Sequence, residues 1–350
     1  MPHSWIRKAI RSTSSGSARE ARKKLASLAK PLGGFGILED LVIQLAAQQD
    51  TLSPTANPAR VVVFAGDHGV TAEDHVSAFD QSATAIFSQQ VLNGTAPISA
   101  LANSRNIPFE LVNVGLAHPI EAHDNLVDAR VAGGTAHLLT HPAMSISQMS
   151  QAMIAGRDAV LRAAEQGTKV IIGGELGVGN TTAAGAIASA LLGLSPELVS
   201  GPGSGVDENG MVRKAQIIQG CVEFHITFLR TPLDTLQYLG GFEIAALAGM
   251  YIACAQEGIA ALVDGFTATV AALVAVTLRP PTKNWLIFAH HAAEPGQRSI
   301  LNAIEATPLV DLGMHTGQGV GAMVAYPMLE MACTLLDKSC TLEQTGVARR

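Results

Sequence analysis

Aromatic residues are scarce in this 350-residue chain, at 4%, and charged residues make up only 15%. Low charge beside 48% hydrophobic residues excludes a disordered chain, which would be poor in apolar side chains and rich in net charge. The four cysteines (Cys221, Cys254, Cys333 and Cys340) are widely spaced and form no CxxC pair. That argues for neither a disulfide framework nor a zinc site. Long apolar runs are missing too. Stretches such as Ile244–Ala255 and Phe266–Val276 are too short to span a bilayer and read as buried helices, so no membrane partner is expected. A net charge of −6 with pI near 6.0 supplies no electrostatic reason to expect nucleic acid. No apolar segment of the secretory type follows the start, and a cytoplasmic protein is expected.

What the chain does have is uneven charge and abundant glycine. Residues 1–30 carry eight basic side chains (Arg7, Lys8, Arg11, Arg19, Arg22, Lys23, Lys24 and Lys30) against Glu20, leaving 15 basic and 28 acidic residues beyond them. An Arg- and Ser-rich, acid-poor start fits a transit peptide or, more simply, a solvated N-terminal helix or tail. Glycine numbers 34 against 16 prolines, which suits flexible turns between short elements.

Short apolar runs alternate with Ala-rich helical stretches. Candidate buried strands are Arg60–Ala65, Phe109–Val114, Lys169–Ile172, Ala260–Val263 and Trp285–Ala289. Helical spacing appears at Glu39–Gln48, Ser147–Glu165, Thr182–Leu192, Gly210–Arg230, Glu243–Glu257, Ala268–Leu278 and Gly317–Leu336. Alternation of this kind predicts an α/β fold, a doubly wound, mostly parallel sheet with helices on both faces. Ligands of open α/β sheets bind beyond the carboxyl ends of the strands, so the loops after strands carry the interest.

After Lys169–Ile172 comes Gly173-Gly174-Glu175-Leu176-Gly177-Val178-Gly179-Asn180-Thr181-Thr182, then a helix. Such a loop is either a structural turn or a phosphate cradle, in which backbone N–H groups and a helix N-terminus meet an anion. It ends in no Lys-Ser/Thr pair, so it is not a P-loop. A second glycine loop, Ser200-Gly201-Pro202-Gly203-Ser204-Gly205, precedes a helix carrying Lys214. Two such loops with a nearby lysine suit one phosphate monoester. Asp67-His68 stands at a strand end, where a structural or orienting role comes first, ahead of a catalytic or metal-binding one. Glu243 and Asp264 also sit at element ends, as caps or as substrate contacts. The adjacent His290 and His291 read as packing or capping residues rather than metal ligands, since neighbours on a strand point oppositely. Gly317, Gly319 and Gly321 lead into a helix as another ligand-facing turn.

Taken in order, these blocks resemble the nicotinate-nucleotide–dimethylbenzimidazole phosphoribosyltransferase family. The strongest carriers are Lys30-Pro31-Leu32-Gly33-Gly34-Phe35-Gly36, Phe64-Ala65-Gly66-Asp67-His68-Gly69-Val70 and Glu175-Leu176-Gly177-Val178-Gly179-Asn180-Thr181-Thr182. Gly240-Gly241-Phe242-Glu243-Ile244-Ala245-Ala246 and Val263-Asp264-Gly265-Phe266 add to them. The resemblance implies a homodimer whose small helical subdomain is assembled from the two chain ends. The basic segment 1–30 would belong to that subdomain, 31–337 would form the phosphoribosyltransferase domain, and 338–350 a C-terminal tail. It also implies displacement of nicotinate from nicotinate mononucleotide by 5,6-dimethylbenzimidazole, giving α-ribazole 5′-phosphate for cobalamin nucleotide-loop assembly. The donor carries its own cationic leaving group, so no metal or cofactor is expected.

Carried over residue by residue, Leu176, Gly177, Gly203 and Lys214 fall where the family grips the nucleotide. Glu175 falls where a carboxylate approaches the ribose. Ser77, Asp264 and Met314 complete the expected substrate-binding set. The acceptor side departs from the family pattern. Gln318 occupies the general-base glutamate position, His315 replaces a basic residue, Ala289 and Ala292 replace serines, and Ala85-Ile86 stand where a glutamine is expected. An amide cannot take up a proton at neutral pH. Gln318 can still accept a hydrogen bond, and His290, His291 and His315 are candidate substitute bases. The alternative is a catalytically weak paralogue that uses another acceptor or serves as a partner subunit.

Overall fold

Val61, Val62, Val63, Phe64 and Ala65 are each fully buried, as a β-branched apolar run at the centre of a parallel sheet must be. They lie in β1 (Ala59–Gly66). In the computed structural model, which describes residues 4–71 and 76–347, five further strands join it. These are β2 (Phe109–Gly115), β3 (Leu126–Asp128), β4 (Val170–Leu176), β5 (Ala260–Val263) and β6 (Leu286–Phe288). The order is β3-β2-β1-β4-β5-β6, and each neighbouring pair is parallel. A separate parallel pair joins β7 (His290–His291) to β8 (Val310–Asp311).

Side chains alternate between two cores. Val62, Phe64, Val112, Ile171 and Val263 face one, covered by helices Ile146–Glu165, Phe242–Glu257 and Phe266–Leu278. Val61, Val63, Leu111, Ile172 and Leu262 face the other, covered by Ile37–Gln49 and Val320–Lys338. That is the expected doubly wound sheet, and the two chain ends supply its small helical subdomain. Helix Ser15–Ser27, capped by Ser14 and burying Ala21 and Leu25, packs on Ile37–Gln49, and Leu28 bridges to Thr341. Most of the basic start is therefore docked into the fold. Residues 1–3 of that segment and 348–350 of the expected tail lie outside the described residues.

Several elements differ from their sequence-based expectation. Strand β4 runs on through Gly173, Gly174, Glu175 and Leu176, so the first glycines are strand rather than loop. Their smallness serves packing: a Cβ on Gly174 would collide with the Gln318 carbonyl. The expected Trp285–Ala289 strand is split, with Trp285 closing a 3₁₀ turn and the chain bending between β6 and β7. The helix expected to reach Arg230 stops at His225, and the last long helix begins at Val320 rather than Gly317. The three-residue edge strand β3 and the eight-residue helices Pro97–Ser104 and Pro232–Leu239 are too short to announce themselves in the sequence, and helix Ser82–Leu92 has no clear apolar stripe.

Candidate active site

The strand order places the site. The chain steps outward from β1 to β3 on one side and from β4 to β6 on the other, so a crevice opens beyond the carboxyl ends of β1 and β4. A cavity of about 240 Å³ lies there, lined by Glu175 to Thr181, the Gly203-Ser204 turn, Gly265 to Thr267, His290, Glu294 and His315 to Gln318. Phe79 and Phe87 add aromatic walls.

One wall is made of backbone and a buried cation. Helix Asn180–Leu192 starts at Gly179, whose φ of 89° requires glycine, and its first residues, Asn180 and Thr181, line the cavity at the positive end of the helix. Lys214, fully buried on helix Glu208–His225, extends Nζ to Thr181 Oγ1 at 2.5 Å and to the Gly201 carbonyl at 3.1 Å. Burial lowers its pKa to about 8. Gly203 has φ of 52°, and a Cβ there would sit 2.8 Å from Thr181 Oγ1 and 3.1 Å from Lys214 Nζ. A helix N-terminus, a glycine turn and an ammonium thus converge, which is the chemistry of a phosphate site.

The facing wall is the turn Gly317-Gln318-Gly319, three successive residues with φ of 70°, 61° and 87°. The Gln318 N–H donates to the Glu175 carbonyl at 3.1 Å, and its Oε1 is buried without a partner among the described residues. Asp264 holds this turn. Its Oδ2 accepts from Gly319 N–H at 2.9 Å, its Oδ1 from Ala322 N–H at 2.8 Å, and His290 Nε2 lies 3.3 Å from Oδ1. Burial pulls the His290 imidazole down, but the Asp264 carboxylate outweighs it and raises its pKa. Between the walls stands Glu175, bonded to Asn180 Nδ2. Burial, then the charges of Asp264, Glu243 and Glu294, push its carboxyl well above the usual range.

Beneath the crevice His68 Nε2 meets Glu243 Oε1 at 2.8 Å, both fully buried, and Asp67 Oδ2 accepts from Ala117 N–H at 2.8 Å. A Cβ on Gly177 would sit 3.4 Å from the His68 ring, so this pair underlies the β4 turn. Burial opposes charge on His68, yet Glu243 keeps its pKa raised.

A phosphoribosyltransferase family model, DBI_PRT, matches residues 10–347. The nicotinate-nucleotide–dimethylbenzimidazole phosphoribosyltransferase of Pseudomonas putida W619 is 43% identical over 350 residues, covering 100% of this chain and 99% of the relative. The enzyme of that name from Azotobacter vinelandii DJ is 44% identical over 349 residues, covering 99% of each. Among solved structures, CobT from Thermus thermophilus superposes with a TM-score of 0.90 at 36% identity, over 95% of this chain and 99% of that one. The chain belongs to the nicotinate-nucleotide–dimethylbenzimidazole phosphoribosyltransferase family.

Against the family pattern, the structure brings Glu175, Leu176, Gly177, Gly203 and Gln318 together around one cavity, with Lys214 directly behind Gly203. The other expected contacts lie elsewhere. Ser77 sits at the rim, its Oγ 2.5 Å from Ser204 Oγ, and ties the segment after β1 to the Gly203 turn. Asp264 is 1% exposed with both oxygens committed to backbone N–H groups, the capping arrangement left open from sequence. Met314 packs half-buried against the core. Of the three candidate bases, His290 and His315 line the cavity, while His291 faces Asp311 at 3.9 Å. Ala289 and Ala292 are fully buried and do not line it. Among the described residues, no cluster of three or more His, Cys, Asp or Glu side chains is arranged to hold a metal.

Phe79, Phe87 and Glu294 were not singled out from sequence. The two phenylalanines belong to a small aromatic complement and follow β1. Glu294 follows β7, where the strand-end rule directs attention.

Proposed function

We propose that this protein transfers the phosphoribosyl group of nicotinate mononucleotide to 5,6-dimethylbenzimidazole or a closely related base, releasing nicotinate and α-ribazole 5′-phosphate. The observation that carries this reading is the convergence of the Asn180–Leu192 helix N-terminus and the Gly203 turn on one cavity at the switch point of the sheet, with buried Lys214 directly behind Gly203. A monophosphate held there places its ribose beside Glu175 and the Gln318 turn, with the edge-to-face pair Phe79 and Phe87 as one apolar wall for a planar base.

The bond between the anomeric carbon and the pyridinium nitrogen breaks, and its electron pair neutralises the departing ring. A lone pair on the acceptor's unprotonated ring nitrogen forms the new bond, and the proton on its other nitrogen then leaves. Glu175, where ionised, steadies positive charge at the anomeric carbon. The unpartnered Oε1 of Gln318 accepts the acceptor's N–H and orients it, without removing the proton. The ribosylated benzimidazolium is acidic enough to release that proton to water.

The reading carries with it a cytoplasmic homodimer. Helix Val320–Lys338 is long and apolar enough to cross a bilayer, but much of it is buried in the core. Exposed Phe224, Ile226 and Phe228 form an apolar surface available to a second copy. The weak-paralogue alternative rests on Gln318 and the other acceptor-side differences, while full-length relatives of the named activity support the transferase.

The test is incubation with nicotinate mononucleotide and a panel of benzimidazoles, purines and phenols, with products resolved by chromatography and mass spectrometry. Nicotinate and an α-linked ribotide of a benzimidazole are expected. Absence of nicotinate mononucleotide binding in calorimetry, with no nicotinate released across the panel, would sink the reading.

A further inference from the structure

Glu294 is a cavity-lining carboxylate that the reaction described above does not use. Its Oε2 is buried and has no hydrogen-bond partner among the described residues. A carboxylate oxygen in that condition is costly unless something donates to it. Its position narrows what the donor is. The Glu294 stem packs over Gly201, where a glycine Cβ would meet its Cγ at 3.4 Å, and Gly201 is the residue whose carbonyl holds Lys214. Glu294 therefore stands against the phosphate-gripping loop, within electrostatic reach of Lys214, His315 and His290, and acts in turn on Glu175.

A ribose 5-phosphate anchored at Lys214 spans from that loop to the anomeric carbon beside Glu175. The groups it offers to a carboxylate next to the loop are its secondary hydroxyls. The acceptor's N–H lies beyond the anomeric carbon, toward Gln318. Burial raises the Glu294 pKa, while its own backbone N–H, His315, Lys214 and His290 favour the ionised, accepting form.

We propose that Glu294 reads the ribose of the donor, its carboxylate accepting hydrogen bonds from the sugar hydroxyls, so that the site selects ribonucleotides over deoxyribonucleotides. This rests on the donor assignment proposed above and adds a specificity-determining residue to it. No bond to Glu294 forms or breaks, and the reaction's atoms balance as already written.

The test compares nicotinate mononucleotide with its 3′-deoxy counterpart, whose missing hydroxyl is not attached next to the reacting carbon. Binding is measured by calorimetry and kcat/KM by nicotinate release. Wild-type protein is expected to prefer the ribonucleotide by about 10- to 100-fold, the range for a buried hydrogen bond to a charged acceptor. Glu294→Ala should reduce that preference to within about threefold, mainly by weakening the ribonucleotide. Glu294→Gln, which keeps shape and one acceptor, should fall between them. Circular dichroism and thermal melting report whether each variant is folded.

An unchanged preference in folded Glu294→Gln and Glu294→Ala overturns the proposal. So does a shifted acid limb of the kcat profile at constant preference, which would make Glu294 a proton acceptor. An equal loss of affinity for inorganic phosphate would make it a counter-ion of Lys214, and also overturns it. Failure of wild-type protein to bind nicotinate mononucleotide at all would instead sink the donor assignment, and with it this inference.

Discussion

The two walls of the cavity are built on different principles. The phosphate wall recruits backbone N–H groups, a helix end and one lysine whose bonds to Thr181 and Gly201 are already made in the free chain. The acceptor wall is a left-handed turn whose one large side chain, Gln318, has its amide oxygen unpartnered. The first is preorganised and has little room for substitution, because any Cβ at Gly203 presses on Lys214. The second presents a side chain whose chemistry can change while the turn stays. Departures from the family pattern at Gln318 and His315 fall on this second wall, as that contrast leads one to expect.

The strongest way to break the contrast is on the rigid wall. Lys214→Ala should lower kcat/KM for nicotinate mononucleotide by about 10³-fold, since it removes a buried cation from a charged hydrogen-bonded pair. Gly203→Asp should match it by clashing with Thr181 and repelling the phosphate. Undiminished affinity in calorimetry for either variant would remove the phosphate wall from the mechanism. On the changeable wall, Gln318→Glu should raise kcat with 5,6-dimethylbenzimidazole by about 10²-fold, the lower range of a positioned general base. Steady-state assays that show no gain would mean a remodelled pocket rather than a missing base.

A smaller effect comes from pH. Lys214, with its pKa lowered to about 8, is cationic below that value and neutral above it. Affinity for the phosphate dianion should therefore be highest between about pH 6, where a phosphomonoester takes up its second proton, and pH 8, and fall by up to about tenfold per unit above pH 8. In Lys214→Ala the alkaline fall above pH 8 should be missing. Smallest of all, Asp264→Ala should cost about 2 kcal/mol of stability in denaturant unfolding, for the loss of a charged cap on helix Val320–Lys338. It should also loosen the Gln318 turn without touching the phosphate wall, so kcat should drop while nicotinate mononucleotide affinity holds.

The sheet was legible because parallel strands are buried on both faces and read as plain apolar runs, as Arg60–Ala65 does. The phosphate wall was legible because glycine and lysine announce themselves near helix starts. The end of strand β4 is not legible because Gly173 and Gly174 look like loop, whereas the packing of Met250 and Leu247 against Gly173 and of Gln318 against Gly174 requires their smallness. Asp264 left two roles open from sequence because capping and substrate contact use the same chemistry. Only the placement of Gly319 and Ala322, more than fifty residues later, shows its oxygens committed to a cap. Glu294 escaped notice because nothing local marks a carboxylate whose neighbours, Gly201 and Lys214, come from another part of the chain.

The helical subdomain of the two ends bears on order of assembly. Leu28 meets Thr341, and Ala29 N–H donates to the Cys340 carbonyl at 2.9 Å, so the residues that follow the opening helix are pinned only once the C-terminal segment exists, although the helix itself seats on Ile37–Gln49 nearby in sequence. During synthesis helix Ser15–Ser27 can dock on Ile37–Gln49 early, while the link at Leu28 and Ala29 waits until the sheet has formed. Removing the last dozen residues should consequently expose a region three hundred positions away to protease, linking integrity at one terminus to survival of the other.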